Sequence, residues 1–219
     1  MQIVQTETLS PFAFFINGKI VYFPMIGRKE FEIIIHGKNN EKQELFNQLR
    51  RDYRTKYDDL RSSLEIDGNL QFANSTNKGD LLELWTCACF GGILYKDIDS
   101  TIKIELGLST IDKGIDIIDF ENKLLIQCKN YDSRLSFKDI STFEFYSNFV
   151  KQSKLFKKYK KVLVVGGTGQ IDNLIREKND IIIRRIEIGK IYNAAYMRHC
   201  CIILSNRKLL RSNASCSLI

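Results

Sequence analysis

Proline is scarce in this sequence, and long apolar runs and low-complexity tracts are missing. Only two prolines occur among 219 residues, so no long segment has the composition of a disordered chain. No run approaches the ~20 apolar residues that a membrane-spanning helix needs, so we expect no membrane association. The first lysine is Lys19, and the start of the chain therefore resembles neither a secretory signal nor a transit peptide. We expect an intracellular protein of the cytoplasm or nucleus.

The cysteines lack the CxxC spacing of metal or redox motifs. Because they stand at adjacent, alternate or isolated positions, they suit neither a disulfide framework nor a zinc knuckle, and they indicate a reducing compartment. The six positions are Cys87, Cys89, Cys128, Cys200, Cys201 and Cys216. A metal site built from His199 and its neighbouring cysteines is disfavoured, since adjacent side chains do not easily bind one ion. The thiols are predicted to act as small hydrophobic side chains.

Basic residues are in excess. The formal net charge is +7 and the sequence pI is about 9.0, which favours a polyanionic partner, nucleic acid first and an acidic membrane surface second. The segment from Lys151 to Lys161 carries six lysines and no acidic residue. A lysine face that contacts only solvent remains the simpler alternative for such a run.

Three regions are predicted along the chain. Residues 1–68 read as a β-rich module with a charged helix, residues 69–204 as the main domain, and residues 205–219 as a basic tail. In the first region, Asn17-Gly18 predicts a type I′ hairpin. Glu30–His36 reads as a further strand, and Asn40–Ser63 as an amphipathic helix. Structural packing and substrate binding are both open as roles for this module.

The segment Asp112–Tyr131 predicts two strands joined by a turn at Glu121-Asn122. Pairing residues whose numbers sum to 243 places Asp116 opposite Gln127, with Lys129 on the same face. An acid, an amide oxygen and an ammonium group therefore converge. The other face is apolar and can enter a core; it comprises Ile115, Ile117, Leu124, Ile126 and Cys128.

Helices and strands are predicted on both sides of this hairpin. Before it come a helix over residues 78–90 that bears Glu83 and ends at Gly91-Gly92, and strand residues at Ile93–Leu94 and Thr101–Leu106. After it, Ser136 and Asp139 form a capping box that opens a long helix whose last turns are the lysine run. The remaining elements are a buried strand at Val162–Val165, a helix at 171–178 and a strand at 180–188. This order predicts an α/β fold, a mixed sheet with helices against it.

The residue types of the hairpin suit a divalent metal. Mg²⁺ prefers hard oxygen ligands and takes only one or two carboxylates from a protein. Asp116 supplies a carboxylate, Gln127 a side-chain carbonyl and Cys128 its main-chain carbonyl, while Glu83 would complete the set from the preceding helix. Lys129 can orient a water molecule and neutralise charge on a reacting phosphate.

These motifs together resemble the PD-(D/E)xK nuclease superfamily. The resemblance rests on Gly79-x-x-x-Glu83, Gly114-Ile-Asp116-Ile and Gln127-Cys-Lys129, followed by a phenylalanine-containing helix and a strand, and it covers residues 74–188. Gln127, in place of the usual acid, is similar to the Mrr-type restriction-endonuclease branch. The resemblance implies a restriction-endonuclease-like fold and a DNA endonuclease that depends on Mg²⁺ or Mn²⁺. It also implies that Asp116, Gln127 and Glu83 bind the metal and that Lys129 is catalytic.

The expected partner is DNA, and cutting two antiparallel strands is most simply done by a homodimer. The predicted phosphate contacts are Lys113, Lys151, Lys154, Lys157, Lys158, Lys160 and Lys161. Two alternatives stay open. One is a protein of the same fold that binds nucleic acid without cutting, because Gln127 leaves only two carboxylates for a metal. The other is an adaptor with solvated charge.

A dinucleotide-binding motif is a further resemblance, carried by Val162–Ile171 with its glycine-rich turn. The position of the motif's last glycine is Asp172, whose charge would oppose phosphate, and only 47 residues follow it. We therefore expect a tight strand-to-helix turn there.

Overall fold

The computed structural model describes residues 13–16, 19–22, 25–67, 69–72 and 75–193. The α-helices are α1 Arg28–His36, α2 Asn39–Ser63, α3 Ser75–Phe90, α4 Ser100–Glu105, α5 Ser141–Val150, α6 Asn173–Arg176 and α7 Ile188–Ile191. The strands are β1 Ala13–Ile16, β2 Lys19–Tyr22, β3 Glu65–Ile66, β4 Asn69–Leu70, β5 Ile93–Leu94, β6 Ile117–Asp119, β7 Leu124–Asn130, β8 Lys160–Gly166 and β9 Ile181–Arg185. Short 3₁₀ helices lie at Tyr95–Asp97 and Phe137–Ile140.

A five-stranded mixed sheet in the order β5-β6-β7-β8-β9 organises the fold. Strands β5, β6 and β7 are antiparallel neighbours, whereas β7, β8 and β9 run parallel. The prediction of a mixed α/β sheet flanked by helices is confirmed. Two-stranded hairpins also form, β1 with β2 and β3 with β4, and the first has the register predicted around Asn17-Gly18.

The central hairpin has the predicted register. Ile117 pairs with Ile126 and Ile118 with Leu125, so each pair sums to 243. The turn lies over residues 120–123, where the Asp119 carboxylate accepts hydrogen bonds from the main-chain and side-chain nitrogens of Asn122 at 2.9 and 2.7 Å. This side-chain cap holds the reversal that brings β7 back beside β6.

The sheet is buried on both of its faces. Along β8, Val162 and Val164 belong to the large core under α2 and α3, while Leu163 and Val165 belong to a second apolar cluster with Leu135. Alternation of two apolar sets is what a strand covered on both faces requires. The prediction of a wholly buried strand at this position is confirmed.

Helix α3 supplies much of the core and ends as predicted, at Phe90, directly before Gly91-Gly92. Its buried side chains are Leu81, Leu82, Leu84, Trp85, Thr86, Cys87, Ala88 and Cys89. Because one flank of the helix faces the sheet hairpin, Glu83 is carried to the edge of β7.

Helix α2 lies against the same core as the sheet. Its Tyr53 hydroxyl accepts a hydrogen bond from the amide of Leu94 at 2.9 Å, and Arg61 Nε donates to the Tyr192 carbonyl at 2.9 Å. Arg50 pairs with Glu121 in the turn of the central hairpin. The predicted helix at 40–63 is confirmed, while the division into regions 1–68 and 69–204 stays a prediction. The basic tail and His199 lie outside the described residues.

The strand predicted at Glu30–His36 is wrong, since these residues belong to α1. Their alternating apolar pattern suggested a strand. The amide of Gly27, however, donates to Glu30 Oε2 at 3.1 Å, and a helical turn buries Phe31 and Ile34 together. Tertiary burial at a spacing of three residues therefore outweighs the strand preference of the isoleucines.

The strand predicted at Thr101–Leu106 is also wrong, because Ser100–Glu105 form α4. The carboxylate of Asp99 accepts from the amide of Thr101 at 2.8 Å and so begins a helix. Ile102 is buried, whereas Ile104 is exposed, which is the pattern of one helical face and not of a two-sided strand.

The helix that follows the central hairpin is shorter than predicted. The capping box is confirmed, since the amide and hydroxyl of Ser136 donate to Asp139 Oδ2 at 2.8 and 2.7 Å. The chain then passes through a 3₁₀ turn into α5, which ends at Val150. The lysine run therefore lies in turns and in β8. Helix α6 is likewise shorter than the predicted 171–178, and β9 shorter than 180–188.

No helix among the described ranges has the length and apolar character that crossing a bilayer requires.

Candidate functional site

Asp116 stands one residue before β6, where the hairpin opens. Its Oδ2 accepts a hydrogen bond of 2.6 Å from the amide of Cys128, and its own amide donates to the Ile126 carbonyl at 2.9 Å. Its carbonyl accepts from the amide of Tyr95 at 2.8 Å. Main chain and side chain are thus both fixed, and the carboxylate is bonded to the β7 amide that lies between Gln127 and Lys129 in sequence.

The electrostatics around Asp116 are unfavourable to its negative charge. Burial and then the charge of Glu83 raise the pKa of Asp116 to about 8, against the opposing effects of the Cys128 hydrogen bond and the Lys129 charge. Burial also raises the pKa of Glu83, with Asp80 and Asp112 adding to the rise and Lys96 opposing it. Simultaneous ionisation of the two carboxyl groups is therefore disfavoured in this partly buried space, and a bound cation would offset that cost.

Glu83 reaches this space from α3. Its side chain is 21% exposed, and its Oε2 lies 3.5 Å from Lys96 Nζ. Lys96 also binds Asp80 at 2.8 Å, so one ammonium serves two acids. Glu83 is consequently held near Asp116 by both its helix and a lysine.

Gln127 is 3% exposed, and its buried Oε1 accepts no hydrogen bond from the residues that the structure describes. Gly114, which has φ of 84°, lies against this amide. A Cβ there would be 3.2 Å from Gln127 Nε2 and 3.0 Å from the amide nitrogen of Phe143. The absence of a side chain at Gly114 therefore leaves room for the glutamine. A buried oxygen without a hydrogen-bond donor lowers the stability of the fold unless a donor or a cation contacts it.

The main chain and the side chain of Cys128 contact different parts of the protein. Its main-chain amide bonds Asp116, and since N–H and C=O of one strand residue point to the same edge, its carbonyl shares that edge. Its sulfur lies 3.7 Å from Thr86 Oγ1 on α3. Burial raises the pKa of the Cys128 thiol well above its usual value, so this cysteine is a buried neutral group, as its hydrophobic role requires.

Lys129 follows on the next strand position. Its Nζ lies 5.8 Å from the centroid of the Tyr131 ring, and no carboxylate in the described part of the chain forms an ion pair with it. The ammonium is close enough to Asp116 to lower the pKa of that carboxyl. A charged donor thus stands beside the acid without being neutralised by direct pairing.

One predicted nucleic-acid contact is wrong. Lys161 is fully buried, and its Nζ pairs with Glu144 Oε2 at 2.7 Å, with Asn148 Oδ1 at 3.0 Å and with Asp180. Its charge is therefore paired with carboxylates of the protein and does not reach a phosphate at the surface. The other predicted lysines reach the surface, Lys151 in part and Lys113, Lys154, Lys157, Lys158 and Lys160 fully.

Sequence reasoning missed three charged residues of this site. Lys96 contacts Glu83 and Asp80, and the charge of Asp112 acts on both Glu83 and Asp116. Asp112 also accepts from the amide of Gly114 at 2.6 Å and so forms the turn into the hairpin. The Asp-x-Gly spacing was a usable signal for that turn. Nothing local to Lys96 or Asp80 indicated their approach to Glu83.

The donor set fits a hard divalent cation. No three His, Cys, Asp or Glu side chains of the described residues are grouped as a metal site of those types would need. The candidate set takes two of its oxygens from amides instead, Gln127 Oε1 and the Cys128 carbonyl, and two carboxylates from Asp116 and Glu83. Oxygen donors of this kind are those that Mg²⁺ and Mn²⁺ prefer. The orphaned Gln127 oxygen and the repulsion between the acids both favour such an ion.

Comparison of the chain with protein-family models, with curated protein sequences and with solved structures gave no match.

Proposed function

We propose that this protein is a metal-dependent endonuclease that hydrolyses phosphodiester bonds in DNA. The observation that carries the proposal is the hydrogen bond from the Cys128 amide to Asp116 Oδ2, 2.6 Å long. It joins the acid to the strand on which Gln127 and Lys129 flank that amide. Acid, amide oxygen and lysine are the groups that metal-assisted phosphodiester hydrolysis uses.

The order of elements supports a restriction-endonuclease-like fold. Helix α3, the antiparallel strands β5, β6 and β7, helix α5 and the parallel strand β8 follow one another, and this order resembles the PD-(D/E)xK core. Within that superfamily, Gln127 is similar to the Mrr-type branch. The resemblance favours DNA over other phosphodiesters as the substrate.

Asp116, Gln127, the Cys128 carbonyl and Glu83 would hold the ion. A bound Mg²⁺ or Mn²⁺ would supply the positive charge that polarises the phosphate and acidifies water. Lys129 would donate hydrogen bonds to the attacking water or to a phosphate oxygen, and its charge would offset the charge that develops during attack. Lys96 would keep Glu83 oriented toward Asp116.

DNA backbone contacts would come from the surface lysines that precede β6 and follow α5. These are Lys113, Lys151, Lys154, Lys157, Lys158 and Lys160. Contacts of this type make affinity fall with salt in proportion to the phosphates neutralised. A homodimer would place two such sites on the two strands of a duplex.

Incubation of supercoiled plasmid with Mg²⁺ or Mn²⁺ tests the proposal. The parent should nick the plasmid, and Asp116→Ala and Lys129→Ala should not, while Asp132→Asn, a control at an exposed acid paired with Lys78, should retain most activity. Salt-sensitive retention of plasmid without nicking would favour a non-cutting nucleic-acid binder. Neither binding nor nicking would favour an adaptor. Equal nicking by the parent and both site variants would show that the centre is misassigned.

A further inference from the structure

The outer face of α5 exposes two large aromatic side chains. Phe145 is 77% exposed and Phe149 is 55% exposed. They are four residues apart, so they lie on one face of the helix with Cβ atoms about 5–6 Å apart. Exposed phenylalanines grouped in this way mark a binding surface more often than isolated ones do.

Phe149 is held on a rigid base. Its ring stacks on that of Tyr146, with centroids 6.2 Å apart and planes 18° from parallel. Tyr146 is buried, and its hydroxyl accepts a hydrogen bond from the amide of Ser109. The Phe149 side chain contacts this ring and is still 55% exposed. A ring fixed in this way loses little conformational freedom when a flat group stacks on it.

The chain that continues from these rings is strongly basic. No acidic residue occurs from Phe145 to Lys161. Its lysines other than Lys161 are at least partly exposed, and none is ion-paired with a carboxylate of the described residues. Those nearest the rings in sequence are Lys151, Lys154, Lys157 and Lys158. We call Phe145, Phe149 and these four lysines the aromatic-lysine surface.

The aromatic rings lie on the helix whose first turn contacts the candidate site. The first turn of α5 lies against the hairpin, since a Cβ at Gly114 would be 3.0 Å from the Phe143 amide nitrogen and 3.2 Å from Gln127 Nε2. Phe149 lies six residues after Phe143, which is about 9 Å along the helix. A strand bound across α5 would therefore pass close to the site.

We infer that the aromatic-lysine surface binds single-stranded nucleic acid, with bases stacked on Phe145 and Phe149 and phosphates on the lysines. Aromatic side chains beside a basic groove bind unpaired bases without strong sequence preference. In a duplex the base faces are already covered, so the rings have nothing to stack on. This inference rests on the proposed function, and it identifies the substrate as DNA with an unpaired stretch. A two-fold contact between copies through this surface is disfavoured, because it would bring two lysine runs together.

Fluorescence anisotropy with the full chain in EDTA tests this inference. The probes are a labelled oligothymidylate of about 20 nucleotides and a mixed-sequence duplex of the same length, near the span of one or two binding modules. The double variant Phe145→Ala/Phe149→Ala should bind the single strand at least about tenfold more weakly, with duplex affinity changed less than about threefold. Phe145→Trp/Phe149→Trp should retain affinity for the single strand. Ile104→Ala/Leu174→Ala, a control that removes equally exposed apolar side chains from α4 and α6, should bind as the parent does.

Three results would overturn the inference. The parent could fail to bind the single strand, or the alanine variant could bind it as tightly as the parent. A parent that sediments as a dimer, with a monomeric alanine variant of unchanged affinity, would identify the surface as a contact between copies. Because the measurement is made without metal, it is independent of cutting. If Asp116→Asn binds normally and no protein cleaves, the proposed function fails while this surface stands.

Discussion

The carboxylate of Asp116 accepts a 2.6 Å hydrogen bond from the main-chain amide of Cys128, and this contact links the two strands of the hairpin beyond their last paired residues. It fixes the acid beside Gln127 and Lys129. The same position brings Asp116 close to Glu83, whose charge raises its pKa. Burial adds to this effect, and the folded protein therefore disfavours the charged form of Asp116 in the absence of a cation.

Replacing Asp116 with Asn should stabilise the protein in EDTA. The amide keeps an acceptor for Cys128 and removes a carboxyl group that folding must either protonate or hold charged beside Glu83. A gain of about 1–2 kcal/mol would raise the melting temperature by about 3–6 °C for a chain of this size. Thermal unfolding at neutral pH measures it. Asp132→Asn, a control at an exposed acid paired with Lys78, should give no gain. A lower melting temperature for Asp116→Asn would contradict this account of the site.

Gln127→Glu should strengthen divalent-ion binding. A third carboxylate beside Asp116 and Glu83 increases repulsion without metal and attraction with it. The variant should be less stable than the parent in EDTA and should gain more from Mg²⁺. A ligand present at about ten times its dissociation constant adds roughly 1.4 kcal/mol. Thermal unfolding with and without Mg²⁺ measures the difference, and Asp116→Asn should show little response. Equal Mg²⁺ responses in all three proteins would rule out this set of ligands.

Gly114→Ala should reduce both stability and cleavage. Its φ of 84° is strained for alanine, and the new methyl group would meet Phe143 and Gln127. Gly107→Ala is the matched control, since Gly107 has φ of 70° but no atom within 4 Å of its Cβ position. We expect a loss of about 1–2 kcal/mol at Gly107 from backbone strain alone and a further loss at Gly114. Urea unfolding and plasmid nicking measure the two effects. Equal behaviour of the two variants would show that Gly114 does not position Gln127.

Lys161→Ala should destabilise the fold by about 2–4 kcal/mol, because it leaves Glu144 and Asp180 facing each other without their shared cation. The neighbouring Lys160→Ala, at an exposed position, should change stability by less than about 0.5 kcal/mol. Urea unfolding compares them. A similar loss at both positions would mean that the buried pairing contributes nothing.

The contribution of Lys161 should also depend on pH. Burial raises the pKa of Asp180, but pairing with Lys161 has the larger opposite effect. The pKa of Asp180 in the folded protein therefore lies below its ordinary value of 3.8. A carboxyl whose pKa is lower in the folded state stabilises above its ordinary pKa and loses that effect as pH falls. The stability gap between parent and Lys161→Ala should therefore be full near neutrality and narrow below about pH 4. A gap that widens in acid would contradict the assignment.

The hairpin could be predicted from sequence because its information is local. Two apolar segments, Ile117–Asp119 and Leu124–Asn130, flank a short turn, and the length of that turn leaves one register. Gln127 and Lys129 lie in β7 as that register predicts. Asp116, predicted opposite Gln127, instead precedes the paired residues, and its amide bonds the carbonyl of Ile126. The strands predicted at Glu30–His36 and Thr101–Leu106 are helices. The caps at Gly27 and Asp99 begin these helices, and burial along one helical side stabilises them.

The remaining features depend on tertiary approach. Lys96 reaches Glu83 because β5, which precedes it, packs beside α3. The residues around Lys96 do not indicate this tertiary contact. Both Lys160 and Lys161 belong to the basic run that predicted nucleic-acid contacts, but Lys160 is exposed and Lys161 is buried. Charge counting cannot separate them, since the difference arises from Glu144 and Asp180, which come from other elements.

The most direct test of the central claim is the single-turnover cleavage rate with protein in excess. The substrate is an end-labelled DNA that has both a duplex and an unpaired segment, in the presence of Mn²⁺. The account predicts that Asp116→Asn and Lys129→Ala each lower the rate at least about a hundredfold, since metal-held charge is worth several kcal/mol and about 1.4 kcal/mol is tenfold. Asp132→Asn should cleave at the rate of the parent. Rates for Asp116→Asn and Lys129→Ala within about threefold of the parent would contradict the claim that these residues form the catalytic centre.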